Sequence, residues 1–383
     1  MKMKIIFKIF AVAAVLTLAF GAINAFAADE IEVYVNEKLI EFDVAPQIID
    51  SRTMIPFRYV ANTFGADVNY VEENGEKIVT AKLPDKNLKL IVGNPVATLT
   101  ENGVEKLIGF DVAPLIVPEG RTLVPVRLIA EAFGCSVGWN GNDKQVIIID
   151  PATIAETVKT TSPKLYNDVL NIDLDAFSGT YNASLNVSIN GEEVAVPITL
   201  KSTDDATALN FKYNVYNFDF IATDDALYSK EKTVTGDKWE KSSLDASLAG
   251  YGIDEVTNVI DADMIISAIC EAFVKNNTPT ADTYKNITDF FGIMATSANT
   301  DGLTIENDSI DYNTIFPLET TIVGIRIAKE YKNDTFNTFK FTIAAADLED
   351  TNINSNITLQ IERDNTVKTT KIDVPADKDI ITE

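Results

Sequence analysis

The chain has 383 residues, no histidine, two cysteines, and 57 acidic against 32 basic side chains, for a net charge of −25. A surface this acidic repels phosphate backbones and anionic bilayers, so nucleic acid is excluded as a partner. Without imidazole there is no Ser-His-Asp or Cys-His triad and no histidine-ligated metal, and two cysteines are too few for a disulfide framework.

The first residues read as a leader. Lys2, Lys4 and Lys8 precede an apolar run from Ile9 to Phe20, and Ala25-Phe26-Ala27 supplies a small-x-small cleavage site. That order predicts a signal peptide over residues 1–27, whose removal leaves a secreted, extracellular or cell-envelope-associated chain. The apolar run is too short to be an anchor, and no later stretch is long enough to span a bilayer. No cysteine at the cleavage region offers a site for lipid attachment.

An internal repeat follows. Lys38-Leu39-Ile40-Glu41-Phe42-Asp43-Val44-Ala45-Pro46 recurs as Lys106-Leu107-Ile108-Gly109-Phe110-Asp111-Val112-Ala113-Pro114. After one extra residue, Arg52-Thr53-Met54-Ile55-Pro56-Phe57-Arg58 is answered by Arg121-Thr122-Leu123-Val124-Pro125-Val126-Arg127. In each copy a proline stands where a helix begins. Phe57, Val60, Ala61 and Phe64, then Val126, Ile129, Ala130 and Phe133, form one apolar stripe of a short helix. Gly65 and Gly134 end these helices where a side chain would be penalised. Short β runs are predicted at 31–35, 68–71, 78–83, 88–92, 96–100, 137–139 and 146–149, with Asn102-Gly103 as a tight turn. Each unit therefore reads as a small antiparallel sheet that buries its face on one helix.

The doubled Arg-Thr-x-(Ile/Val)-Pro-x-Arg pattern, each copy leading into a helix that ends Phe-Gly, resembles the copper amine oxidase N-terminal, or stalk, domain family across residues 31–150. The resemblance implies a compact α+β module, common in exported proteins of Gram-positive bacteria, that holds other domains away from or close to the envelope. It brings no catalytic role. Amine oxidase chemistry needs three imidazole ligands and a tyrosine-derived quinone, and a chain without histidine cannot supply the first.

Residues 151–165 read as a linker with one short helix at 154–159, and residues 166–383 as one larger domain. Ala183, Leu185, Val187 and Ile189 alternate with Asn182, Ser184, Asn186 and Ser188, and Asn190-Gly191 turns the chain into Val194–Leu200. Further strands are predicted at 209–216, 218–222, 226–231, 320–329, 336–344, 357–363 and 367–374. Helices are predicted at about 254–275 and from Thr278-Pro279, the second placing Tyr284, Ile287, Phe291 and Met294 on one stripe. The Ala226–Lys230 strand, followed by Gly236-Asp237-Lys238-Trp239-Glu240-Lys241, is similar to lipoprotein-carrier-type half-barrels. That second resemblance implies an apolar cavity between sheet and helices. The fold class is α+β: two small antiparallel-sheet-plus-helix repeats, then a larger curved antiparallel sheet with inserted helices.

Several side chains invite a functional reading. Arg58 and Arg127 occupy the same place in both repeats and read either as anion contacts or as structural partners of Asp43 and Asp111, the second fitting better. Asp173 with Asp175, Asp261 with Asp263, and Glu306 with Asp308 and Asp311 are oxygen-rich, but match no calcium loop and read as caps and solvated faces. Tyr213, Tyr216, Phe218, Phe220, Tyr228 and Trp239 form either sheet core or a ligand-lined face. Cys270, in an apolar run, reads as a buried small hydrophobe, and Cys135 follows Phe133-Gly134 at a helix end; the two are placed in different domains, with an inter-domain disulfide as the alternative. No catalytic, cofactor-binding or metal-ligating residue is nominated. The combined reading is an exported non-catalytic envelope protein whose stalk module presents a C-terminal binding or interaction domain to cell-wall polymer or another envelope protein. Its alternatives are a soluble carrier of an apolar or lipid ligand and a histidine-free hydrolase built on a carboxylate pair.

Overall fold

The computed structural model describes residues 30–173, 179–203, 205–213, 216–223, 226–233, 236–243, 259–275, 278–306, 308–317, 321–332, 335–347, 354–368, 371–376 and 380. The leader and Asp175 lie outside these residues. By packing, the chain forms two units, one drawn from Leu18–Ile154 with Ile266–Asp289, the other from Ala155–Ile265 with Phe290–Glu383.

The repeat unit begins with β1 (Glu32–Val35), β2 (Lys38–Leu39), β3 (Gln47–Ile49), β4 (Arg52–Pro56), α1 (Phe57–Thr63), β5 (Asp67–Glu73), β6 (Glu76–Lys82) and β7 (Lys86–Ile91). It continues with β8 (Val96–Glu101), β9 (Val104–Gly109), β10 (Leu115–Ile116), β11 (Thr122–Pro125), α2 (Val126–Phe133), β12 (Ser136–Asn140) and β13 (Gln145–Ile149). Pro56 sits one residue before α1 with φ −61°, already set for the turn into the helix. Gly65 and Gly134 follow the helices at φ +78° and +77°, as an αL stop requires.

The sheets are small and antiparallel in kind, as the pattern predicts, but each takes strands from both repeats. One runs β12-β13-β1-β2, with β1 parallel to β13, one runs β10-β11-β4-β3, and one runs β5-β6-β7-β8-β9. The middle sheet shows the relation between the copies. Ile55 pairs with Val124, its own counterpart in the other repeat, flanked by Pro56 with Leu123 and Met54 with Pro125. A local twofold axis therefore passes between Ile55 and Val124. Phe64 and Phe133, again counterparts, meet at 5.4 Å between ring centroids. A single apolar core holds both helices, including Phe57, Val60 and Ala61 from one and Ile129, Ala130 and Phe133 from the other.

The symmetry is broken on the outer sheet faces. Val146 and Ile148 of β13 point into the shared core, while Ile147 and Ile149 point away from it and are equally buried. Gly138, register partner of Ile147, lies so close to Val274 and Pro279 that a Cβ there would come within 2.5 Å of the Val274 side chain. Val274 and Pro279 thus pack on this face. At the register-equivalent positions of the five-stranded sheet stand Thr80 and Lys82, half-exposed and exposed. One face is apolar and covered, its counterpart polar and wet.

The second unit opens in α3 (Pro151–Thr161), followed by one π turn (Leu165–Val169) and β14 (Ile172–Asp173). Strands β15 (Gly179–Ile189), β16 (Glu192–Ser202), β17 (Thr207–Tyr213), β18 (Tyr216–Ala222), β19 (Ala226–Thr233) and β20 (Gly236–Ser243) form one antiparallel meander. After β21 (Val259–Ile260), α4 (Ala262–Lys275) and α5 (Thr283–Asn299) comes a second meander. It consists of β22 (Leu303–Glu306), β23 (Ser309–Pro317), β24 (Thr321–Lys332), β25 (Thr335–Asp347) and β26 (Asn354–Arg363). The meanders join where β15 pairs with β26, giving one eleven-stranded antiparallel sheet in the order β20 to β15, then β26 to β22.

Three predicted elements differ. Of the helix expected at about 254–275, residues 254–258 lie outside the described residues, Val259–Ile260 form β21 against β14, and the helix starts only at Ala262, where Asp261 caps it. The strand expected at 367–374 does not form among the described residues. Both edges of β26 are already taken by β15 and β25, so no antiparallel place remains. The second helix starts at Thr283 rather than at Pro279, because Thr283 Oγ1 accepts the Thr280 N–H at 2.9 Å and holds a turn ahead of it.

Candidate functional site

The repeated arginines separate into two roles. Asp43 and Asp111 are paired, but with Arg121 and Arg52 and across the repeats. Arg121 Nε donates to Asp43 at 2.8 Å, and Arg52 pairs with Asp111. Each guanidinium holds its carboxyl below the usual range. The expected pairing of Arg58 and Arg127 with these acids is therefore wrong: both lie exposed and make no ion pair among the described residues. Arg52 and Arg121 sit at strand starts facing the partner repeat, a relation that local spacing does not reveal.

The acidic groups are tied into local structure. Asp261 Oδ1 accepts the Met264 N–H at 2.8 Å and caps α4, and Asp263 accepts the Tyr166 hydroxyl at 2.7 Å. Arg326 grips Asp311 through both nitrogens, Nε at 3.0 Å, while Glu306 and Asp308 are exposed. No three acidic or cysteine side chains among the described residues group as an ion site. Cys135 and Cys270 are free and buried, and both fall in the repeat unit rather than in different domains. Burial pushes both thiols up, Cys270 to about 12, so neither offers a thiolate at neutral pH.

The aromatic group divides between the two faces of the large sheet. Phe211 stacks on Phe218 at 4.7 Å and on Phe220 at 6.3 Å, all three half-buried on one face. Tyr228 and Trp239 belong to the other face, in a small cluster with Ile221, Ile372 and Ile380. Tyr213 and Tyr216 are register partners, and their side chains lie outside the described part.

The Phe211 face continues through Ile198, Ala183, Ile361 and Phe339 to Lys329. Its far end is covered: Phe316 stacks on Phe290 at 4.7 Å, and the buried Tyr312 donates to the Met294 carbonyl at 3.2 Å. Lys329 is the one fully buried charged side chain among the described residues. Its Nζ donates to the carbonyls of Asp168 at 2.8 Å, Val169 at 2.6 Å and Asn171, so the ammonium caps the end of the π turn. Nothing in the sequence marks this role, since Lys329 occupies an inward position of a strand. At the Phe211 end, Leu185 and Val187 are also half-buried. The arrangement can bury apolar surface, and it brings together no acid–base pair among the described residues.

The family model of the copper amine oxidase N-terminal domain matches residues 34–148 and again residues 106–226, together half of the chain. The chain belongs to that family. Its two overlapping matches agree with the tandem repeat, and the second runs past the end of the paired repeats into β15–β18. The copper amine oxidase N-terminal domain is the stalk-like, non-catalytic part of those enzymes, and no catalytic domain is matched here. No curated protein matches the chain. Among the described residues no helix is long and apolar enough to cross a membrane.

Proposed function

We propose that the chain is an exported, non-catalytic protein of the bacterial cell envelope, in which the paired repeats form a stalk and the eleven-stranded unit is the part that binds. The observation that carries this reading is the contrast in finish between the two units. The repeats bury both their helices in a shared apolar core and are tied by reciprocal ion pairs, whereas the large sheet leaves the stacked Phe211, Phe218 and Phe220 half-exposed. The test is co-sedimentation of the mature chain with purified cell-wall sacculi across a salt series. Pelleting that saturates supports docking to wall polymer; a chain that stays in the supernatant at every salt concentration removes it.

The half-exposed phenylalanines also support a second reading, a carrier for an apolar ligand. Solvent extraction of the purified protein followed by mass spectrometry tests it. A stoichiometric lipid, reduced in Phe211→Ser, would establish the carrier; a protein free of lipid that also fails to take up a fluorescent fatty acid would end it.

A further inference from the structure

The geometry points to a seat for an oxyanion, a carboxylate or phosphate group, formed on the Phe211 face of the large sheet by Arg363, Gly179, Ser202 and Thr207. Arg363 closes β26 opposite Tyr181, two residues from Ala183 and so on the same face as Phe211. It is half-buried and makes no hydrogen bond or ion pair among the described residues. The chain carries 57 acidic side chains against 32 basic ones, so this guanidinium is not unpaired for want of acids. It lies over the backbone of Gly179, where a Cβ would come within 3.2 Å of one of its nitrogens. Gly179 has φ +127°, in the region that favours glycine. The missing side chain is what gives the guanidinium its place.

Beside it stands a buried donor without an acceptor. Ser202 is the register partner of Gly179, and Thr207 that of Ser202, so both hydroxyls share this face, the nearer about 5 Å from Gly179. Ser202 is 6% exposed and Thr207 fully buried. Their oxygens are 3.3 Å apart, one donating to the other. Two hydroxyls carry two protons and this contact uses one; the second has no acceptor among the described residues. Buried donors are seldom left so. The nearest acid in the chain, Asp364, is spent elsewhere: one oxygen accepts the Thr366 N–H at 2.9 Å, the other the Asn182 amide at 3.5 Å. An oxyanion over Gly179 therefore meets the forked guanidinium and a hydroxyl proton, both attractive. A cation meets the guanidinium as repulsion. Two residues further along the strands, Leu209 and Phe220 are register partners, so an apolar chain attached to the anion has the stacked phenylalanines ahead of it. The oxyanion is either a free small anion or the head group of an amphiphile, and the contact is the same.

Acetate, inorganic phosphate and decanoate are the probes, titrated by NMR or calorimetry into the mature full-length protein at constant ionic strength, with decanol as the uncharged counterpart. Saturable binding of at least one anion is expected, about tenfold weaker in Arg363→Gln. Arg363→Lys should restore part of it, since the charge returns without the fork. Ser202→Ala should weaken it by a smaller factor, and Arg58→Gln, which removes an exposed arginine of α1, should change nothing. Binding of acetate or phosphate identifies a free anion; binding of decanoate alone, with the same Arg363 dependence, identifies the head group of an amphiphile. No saturable binding of any anion, binding indifferent to Arg363→Gln, or equal weakening by Arg58→Gln overturns the seat. Sacculus pelleting and decanol uptake by the parent report the two readings above, so their failure and that of the seat are told apart.

Discussion

Two residues tie the repeats together from opposite sides, Arg52 to Asp111 and Arg121 to Asp43. Both acids are solvent-facing, so the pairs act as registry marks for the repeat interface more than as a large source of stability. Their carboxyls are held below the usual range. The stabilisation is therefore present above the unfolded carboxyl pKa and is lost as pH falls through the folded value. Replacing both arginines, Arg52→Gln with Arg121→Gln, should lower Tm at neutral pH, with the gap to the parent closing in acid and in high salt. A gap that persists in acid would mean the arginines act by packing instead. Lys329 behaves in the opposite sense. Burial pulls its ammonium down to about 7 from the ordinary 10.5, against the pull of Asp168. Between those values the unfolded chain holds a proton that the folded chain has released, so stability rises with pH across that window. Lys329→Met leaves three carbonyls short of a donor and should cost about 1–3 kcal/mol. Urea midpoints from about pH 7 to about pH 10 should rise in the parent and not in the variant; parallel curves would remove Lys329 from the pH dependence.

Among elements, β12 is sensitive to a single added atom. Gly138 is close to Val274 and Pro279, so Gly138→Ala should force β12 apart from these two residues and destabilise by about 1–3 kcal/mol in chemical denaturation. A neutral result would show that this contact yields freely. Much at this scale was legible in the sequence. The stripes Phe57-Val60-Ala61 and Val126-Ile129-Ala130 announce their helices, the glycines their ends, and Asn102-Gly103 and Asn190-Gly191 their hairpins, because these signals are carried by neighbours in the chain. Strand partners are not. Nothing within β1 says that it pairs with β13 rather than with a strand of its own repeat, and the apolar run Val146–Ile149 looks the same whether one face is covered or both. The stretch 367–374 alternates well enough to be a strand, yet β26 has no free edge to offer it. The stacked phenylalanines could be read as aromatic and alternating, while their half-exposure depends on what packs above them. Nothing around Lys329 in the chain announced its cap on the π turn.

Across the molecule, the outer face of β12 and β13 sets where the repeat unit truly ends. Ile147 and Ile149 are fully buried, and residues 266–289 belong to the same unit although they follow it by more than a hundred positions. A fragment of residues 28–154 should therefore expose this face, bind a hydrophobic dye and self-associate in size-exclusion chromatography, whereas the mature chain should not. A monomeric, cooperatively unfolding fragment would show that the repeats close without that cover. The parallel pairing of β1 with β13 has a mechanical side. These are the first and last strands of the paired repeats, lying side by side with Glu32 opposite Gln145 and Val35 opposite Ile148. Tension applied where β1 begins and β13 ends pulls the two strands past each other along their length, so the hydrogen bonds between them share the load and fail together rather than opening one at a time. A tethered repeat unit would hold its length until force broke that one ladder, then give way in a single step.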